Sequence, residues 1–221
     1  MRNTNTNRID TKTITAIGVF CALAYIAMVT IKIPVVLFLK YEPKDVIITM
    51  CGLIYGPIWS FVVSVIVSFI EMITVSETGI IGFTMKVLST SAFACTASLI
   101  YKKGKSIKSA LIGLIAGTVL MTAAMLLWNY LLTPLYMNQP RAQVASLLLP
   151  AFLPFNLIKG STNAVLTYLL YRPCIDALRR AGFAPPSKSS VKKRTNIPVL
   201  VACCLVLIVC IILILKFNGI F

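Results

Sequence analysis

Apolar residues run almost unbroken through six stretches: Ile14 to Ile31, Val46 to Thr74, Ile80 to Tyr101, Ala110 to Leu132, Leu147 to Leu170 and Ile197 to Leu215. A helix rises about 1.5 Å per residue and needs roughly 20 apolar residues to cross a bilayer. All but the second stretch therefore read as single spanning helices. The second has 29 residues interrupted by Gly56-Pro57. It is either one overlong helix of about 43 Å or two short helices hinged at that dipeptide. Ala22-Leu23-Ala24 resembles a signal-peptide cleavage site, but the apolar run continues well past it, so the first stretch is read as a membrane helix.

The segments between the runs are short and polar. Pro34, a Phe-Leu-Lys-Tyr stretch and Pro43 make an ordered loop before the second run, with Asp45 placed to cap the helix that starts at Val46. Thr133 to Ser146, with Pro134, Tyr136 and Pro140, reads as a second loop. Residues 184 to 196, with two prolines, three serines and four basic residues, read as a linker.

Composition sharpens this picture. Of 221 residues, 58% are hydrophobic and only 12% charged, and the mean hydropathy is +0.91, which excludes a soluble domain. The net charge of +15 would indicate a nucleic-acid partner in a soluble chain. Here the basic residues sit mostly between apolar runs, so the preference for positive loops in the cytoplasm accounts for them and no nucleic acid is implied. With the N-terminus inside and a split second run, fourteen basic residues face the cytoplasm and five face outward. An unsplit run with the N-terminus outside gives the same count, so charge leaves the two topologies level. Histidine is absent, which removes the commonest metal ligand and neutral-pH acid or base. The seven cysteines lie within or at the ends of apolar runs and read as small packing residues rather than a metal site.

Polar side chains inside apolar spans are costly and point to function. Glu71, Lys86, Asn129 and Lys159 stand out. Asn156, Lys159 and Asn163, at i, i+3 and i+7, share one helical face, as do Thr118, Thr122, Met125 and Asn129 on the preceding run. Trp128, Tyr130 and Tyr136 flank the latter. Amides and an ammonium beside aromatic rings suit a flat, hydroxylated heteroaromatic ligand. The same residues also suit interhelical hydrogen bonding or an interfacial aromatic belt. Glu71 and Lys86 read either as an internal ion pair or as side chains snorkelling at helix ends. Gly104-Lys105-Ser106 lacks the upstream glycine of a phosphate loop, since Leu99 stands there, so any ATP hydrolysis belongs to another polypeptide. Gly18 with Ala22, and Gly113 with Gly117, are small-residue pairs that permit close helix contact.

Leu39-Lys40-Tyr41-Glu42-Pro43-Lys44-Asp45, Tyr55-Gly56-Pro57, Asn129-Tyr130 with Pro134-Leu135-Tyr136, and Leu153-Pro154-Phe155-Asn156-Leu157-Ile158-Lys159-Gly160 occur in that order. Over roughly residues 13 to 180 the chain resembles the substrate-binding S-components of energy-coupling-factor vitamin transporters, within them the riboflavin-binding type. The resemblance implies a six-helix substrate-binding bundle (13–180); with the apolar pattern, the chain reads as an all-α integral membrane protein that adds a cytoplasmic tail (1–12), a basic cytoplasmic linker (181–196) and one extra C-terminal transmembrane helix with its tail (197–221). The resemblance also implies a split at Gly56-Pro57 and a multi-pass protein of the plasma membrane with its N-terminus in the cytoplasm. Riboflavin is then a transported ligand rather than a cofactor, no metal or catalytic residue is expected, and the chain is not an enzyme. Tyr41, Asp45, Trp128, Asn129, Tyr136, Asn156, Lys159 and Asn163 are the expected ligand-binding residues, with the loop around Tyr41 as a lid. Gly18 and Ala22 are the expected face toward a transmembrane coupling subunit, which works with two ATP-binding subunits. Glu71 and the last helix depart from the family pattern. Other vitamins (folate, pantothenate or a pyridoxine-like ring) remain alternative ligands. A lipid-headgroup enzyme would need acids clustered for metal or proton chemistry, and an assembly subunit would bind no small molecule tightly.

Overall fold

The computed structural model describes residues 11–36, 39–75, 79–183 and 197–217, without the side chains of Tyr136, Met137 and Ile197. The expected N-terminal tail, up to residue 10, and the linker at 184–196 lie outside the described residues.

The chain is a helical bundle. The elements are α1 (Thr11–Thr30), the strands β1 (Ile33–Val36) and β2 (Leu39–Tyr41), α2 (Lys44–Tyr55), α3 (Pro57–Thr74), α4 (Gly79–Gly104), α5 (Ile107–Met137), α6 (Arg141–Leu147), a π turn (Leu148–Phe152), α7 (Leu153–Arg180) and α8 (Ile197–Phe217). Among the described residues, six helices are long and apolar enough to cross a membrane, and α2, with 12 residues, is a shorter member leading into α3. The alternative of one overlong helix is overturned. Gly56 adopts φ 108° and ψ 167°, a conformation that L side chains rarely take, and Pro57 begins α3 with a preset φ and no N–H to satisfy. The extended loop becomes an antiparallel hairpin that pairs Ile33 with Tyr41 and Pro34 with Lys40.

Two local expectations are corrected. Asp45 is no cap: α2 starts two residues earlier than expected, at Lys44, without a side-chain cap, and the Asp45 carboxylate turns into the bundle instead. The loop Thr133 to Ser146 is mostly helix, because α5 continues through Pro134 to Met137 and α6 begins at Arg141. α5 stops at Asn138 in the left-handed region, where the Pro134 carbonyl accepts from the N–H groups of Asn138 and Gln139.

Packing follows the small residues. A Cβ on Gly113 would lie 2.7 Å from the Ala97 carbonyl oxygen, and one on Gly117 2.7 Å from that of Phe93. These two glycines let α4 and α5 meet backbone to backbone over Phe93, Ala97, Leu114, Met121 and Met125. Gly18 differs: a Cβ there meets nothing within 4 Å, and both Gly18 and Ala22 are exposed on α1. The opposite face of α1 buries Ala16, Ile17, Phe20, Ala24 and Met28 at helical spacing.

Candidate functional site

A cavity of about 600 Å³ opens beneath the hairpin, walled by α3, α4, α5 and the start of α7. Pockets of about 300–1,000 Å³ suit small organic ligands. Asn129 from α5 and Asn156 and Lys159 from α7 line it together. Their helices meet where Gly160 seats against Thr118, so two polar stripes converge on one space. Asn129 donates to the Met125 carbonyl at 2.8 Å and accepts from Thr133 at 2.9 Å. Asn156 donates to the Phe152 carbonyl at 2.8 Å, and its Oδ1 has no donor among the described residues. That oxygen is an acceptor held in reserve on the wall.

Behind Lys159 stands a buried chain of partners. Its ammonium lies 2.9 Å from Asp45 Oδ2 and donates to Ser89 at 3.3 Å. Asp45, fully buried, accepts from Thr90 at 2.7 Å and from Asn163 at 3.3 Å, and Asn163 Oδ1 accepts from the Tyr41 hydroxyl at 3.0 Å. A carboxylate held this way fixes the direction of Lys159. Burial first, then the Asp45 carboxylate and the Cys210 sulfur, push the Tyr41 phenol well above its ordinary range, so it remains a neutral donor.

A second ionic group floors the cavity. Lys44 and Lys86 both bond to Glu71, and Lys44 lies 3.1 Å from Glu42. The two cations and two carboxylates balance. The ion-pair reading of Glu71 and Lys86 therefore holds, with Lys44, 2% exposed, as the missing partner. Lys44 is the residue that sequence reasoning missed, since it lies just before the apolar run rather than inside it. Its signal was a lysine and an aspartate opening an apolar run that itself contains Glu71, while Lys86 sat inside the next run. Three of the acids scattered along the sequence converge in space, since Glu42, Asp45 and Glu71 each meet Lys44 or Lys159. Each acid has a cationic partner.

The structure thus sorts the expected ligand residues. Asn129, Asn156 and Lys159 face the cavity, whereas Asp45, Asn163 and Tyr41 stand behind Lys159 as supports. Trp128 does not line the cavity. Successive helical residues point about 100° apart, so with Asn129 turned inward Trp128 packs on the Phe93 and Met121 cluster. The aromatic ring on the wall among the described residues is Phe155. The Tyr136 side chain lies outside the described residues.

A membrane bundle with a polar-walled cavity of this size has room for a small organic molecule. Residues 12–171 match the family model "ECF transporter, substrate-specific component". The chain is 29% identical over 183 residues to riboflavin transporter RibU of Staphylococcus aureus (strain TCH60), covering 79% of this chain and 96% of that one. It is 30% identical over 156 residues to riboflavin transporter FmnP of Bacillus subtilis (strain 168), covering 65% and 82%. A solved structure described as "Structure and mechanism of the S component of a bacterial ECF transporter" aligns with a TM-score of 0.65 and 29% identity, over 76% of this chain and 98% of that chain. The chain belongs to the substrate-specific components of ECF transporters and is a multi-pass membrane protein.

Proposed function

We propose that this protein captures riboflavin in the cavity beneath the hairpin and releases it inward when an ATP-driven ECF module reorients the bundle. The observation that carries the reading is the convergence of Asn129, Asn156 and Lys159 on one cavity of suitable size. Two amides and an ammonium match the carbonyls, ring nitrogens and hydroxyls of a flavin, and Phe155 and Met125 supply apolar surface for its ring system. The relatives named as riboflavin transporters support the same ligand. The hairpin end, with Lys32 and Lys40, faces outward, and the other end, with Lys102, Lys103, Arg179 and Arg180, faces the cytoplasm, in line with the charge preference of loops.

The chain itself performs no chemistry. Its coupling face is Gly18 and Ala22, exposed on α1, where a transmembrane subunit linked to two ATP-binding subunits can approach closely. Titrating the purified, full-length protein with riboflavin tests the reading, with folate, pantothenate and pyridoxine as comparison ligands. Saturable binding of one flavin per chain supports it. Binding of another vitamin in place of flavin reassigns the ligand.

A further inference from the structure

α8 lies beyond the family match, which ends at residue 171, yet it is more than an anchor in lipid. Its inward stripe is Cys203, Leu207, Cys210 and Ile214, at spacings of four, three and four, while Leu205, Ile208, Val209, Ile211 and Ile212 are exposed. Cysteine at two of the four contact positions lets the helix come close. The stripe packs on α7 and on β1. Cys210, 5% exposed, joins one apolar cluster with Val35, Val36, Leu39 and Tyr41 of the hairpin, and Leu213 and Ile214 pack against it.

The hairpin needs such support. Strands of four and three residues have little stability of their own, so their position depends on what they pack against. The hairpin also forms part of the binding site. Leu39 and Lys40 line the cavity, and Tyr41 begins the chain of hydrogen bonds through Asn163 and Asp45 to Lys159.

We propose that α8 braces the lid: through Cys210 and Ile214 it holds the β1–β2 hairpin and Tyr41 over the cavity, and so sets how slowly a bound ligand leaves. Cys210 is a positioning residue that touches no ligand. This rests on the proposed flavin site, but its test has a readout that does not.

The full-length chain is compared with Cys210→Trp, which wedges α8 off the hairpin, and with Cys204→Trp, which adds the same bulk on the exposed face of the same helix. Chase of radiolabelled riboflavin is expected to show release from Cys210→Trp about tenfold faster, roughly 1.4 kcal/mol, with association little changed and Cys204→Trp like the parent. Backbone amides of residues 33, 35, 36 and 39–41 are expected to exchange faster with solvent in Cys210→Trp alone, with or without flavin. If Cys210→Trp does not fold, the paired Cys210→Ala and Ile214→Ala changes are expected to move both readouts in the same direction. Release and exchange unchanged from the parent in the folded variants would overturn the brace. Failure of every variant and the parent to bind flavin would overturn the ligand instead, and amide exchange would still decide the role of α8.

Discussion

Asn156 and Lys159 sit one helical turn apart on the same wall, and replacing them has different consequences. Asn156 carries an acceptor without a protein donor among the described residues, so Asn156→Ala is expected to weaken riboflavin binding by about 1–3 kcal/mol while barely moving the thermal midpoint. Lys159 also neutralises the fully buried Asp45, so Lys159→Ala is expected to lower both affinity and thermal midpoint. Adding Asp45→Asn to Lys159→Ala should restore much of the midpoint but not the affinity, which calorimetry and a melting curve can separate. Trp128→Leu is expected to leave flavin affinity near the parent value, because the indole packs on the α4–α5 contact rather than the cavity. Affinity lost as strongly as in Asn156→Ala would put that ring back in the site. The polar stripe was legible in the sequence because i, i+3, i+7 spacing defines a face whatever surrounds it. The supporting role of Asp45 and Asn163 was not, since it depends on α2 and α7 meeting. Trp128 falls outside the cavity lining for a related reason. A tryptophan beside a cavity-facing asparagine looks close in sequence, yet lies about 100° away around the helix.

At the scale of elements, the two small-residue pairs that looked alike in the sequence separate in space. Gly113 and Gly117 are spent inside the bundle, where a methyl group would press on the α4 backbone, whereas Gly18 and Ala22 face outward. Gly113→Ala is therefore expected to lower the thermal midpoint. Leucine at both Gly18 and Ala22 is expected to leave riboflavin binding and melting intact while abolishing co-purification with the coupling subunit and flavin uptake. Normal uptake by that variant would remove α1 as the coupling face. The break between α2 and α3 was half legible. Charge counting could not choose between a hinge and one long helix, because exchanging the two N-terminal charge groups left the totals equal. The backbone of Gly56 decides it. The hairpin was invisible to hydrophobic periodicity, its strands being too short to establish a period of two.

As a whole molecule, the protein is a bundle whose hydrophobic exterior was evident from composition and whose charged interior was not. Lys44, Glu71 and Lys86 come from separate helices and, together with Glu42, balance in charge beside the cavity, an arrangement that appears only once the helices are assembled. The proposed orientation rests on the basic end. A cysteine introduced near Thr4 should resist membrane-impermeant thiol reagents in whole cells, while one at Asn138 should react. Labelling of the tail from outside would reverse the topology. The central claim is that the cavity walled by Asn129, Asn156 and Lys159 is a flavin site. Calorimetric titration of the purified chain and of Asn156→Ala with riboflavin tests it most directly. Saturable heat at one flavin per chain, weakened in Asn156→Ala by about 1–3 kcal/mol, is the predicted result. No heat with riboflavin, or equal affinity in both proteins, would contradict it.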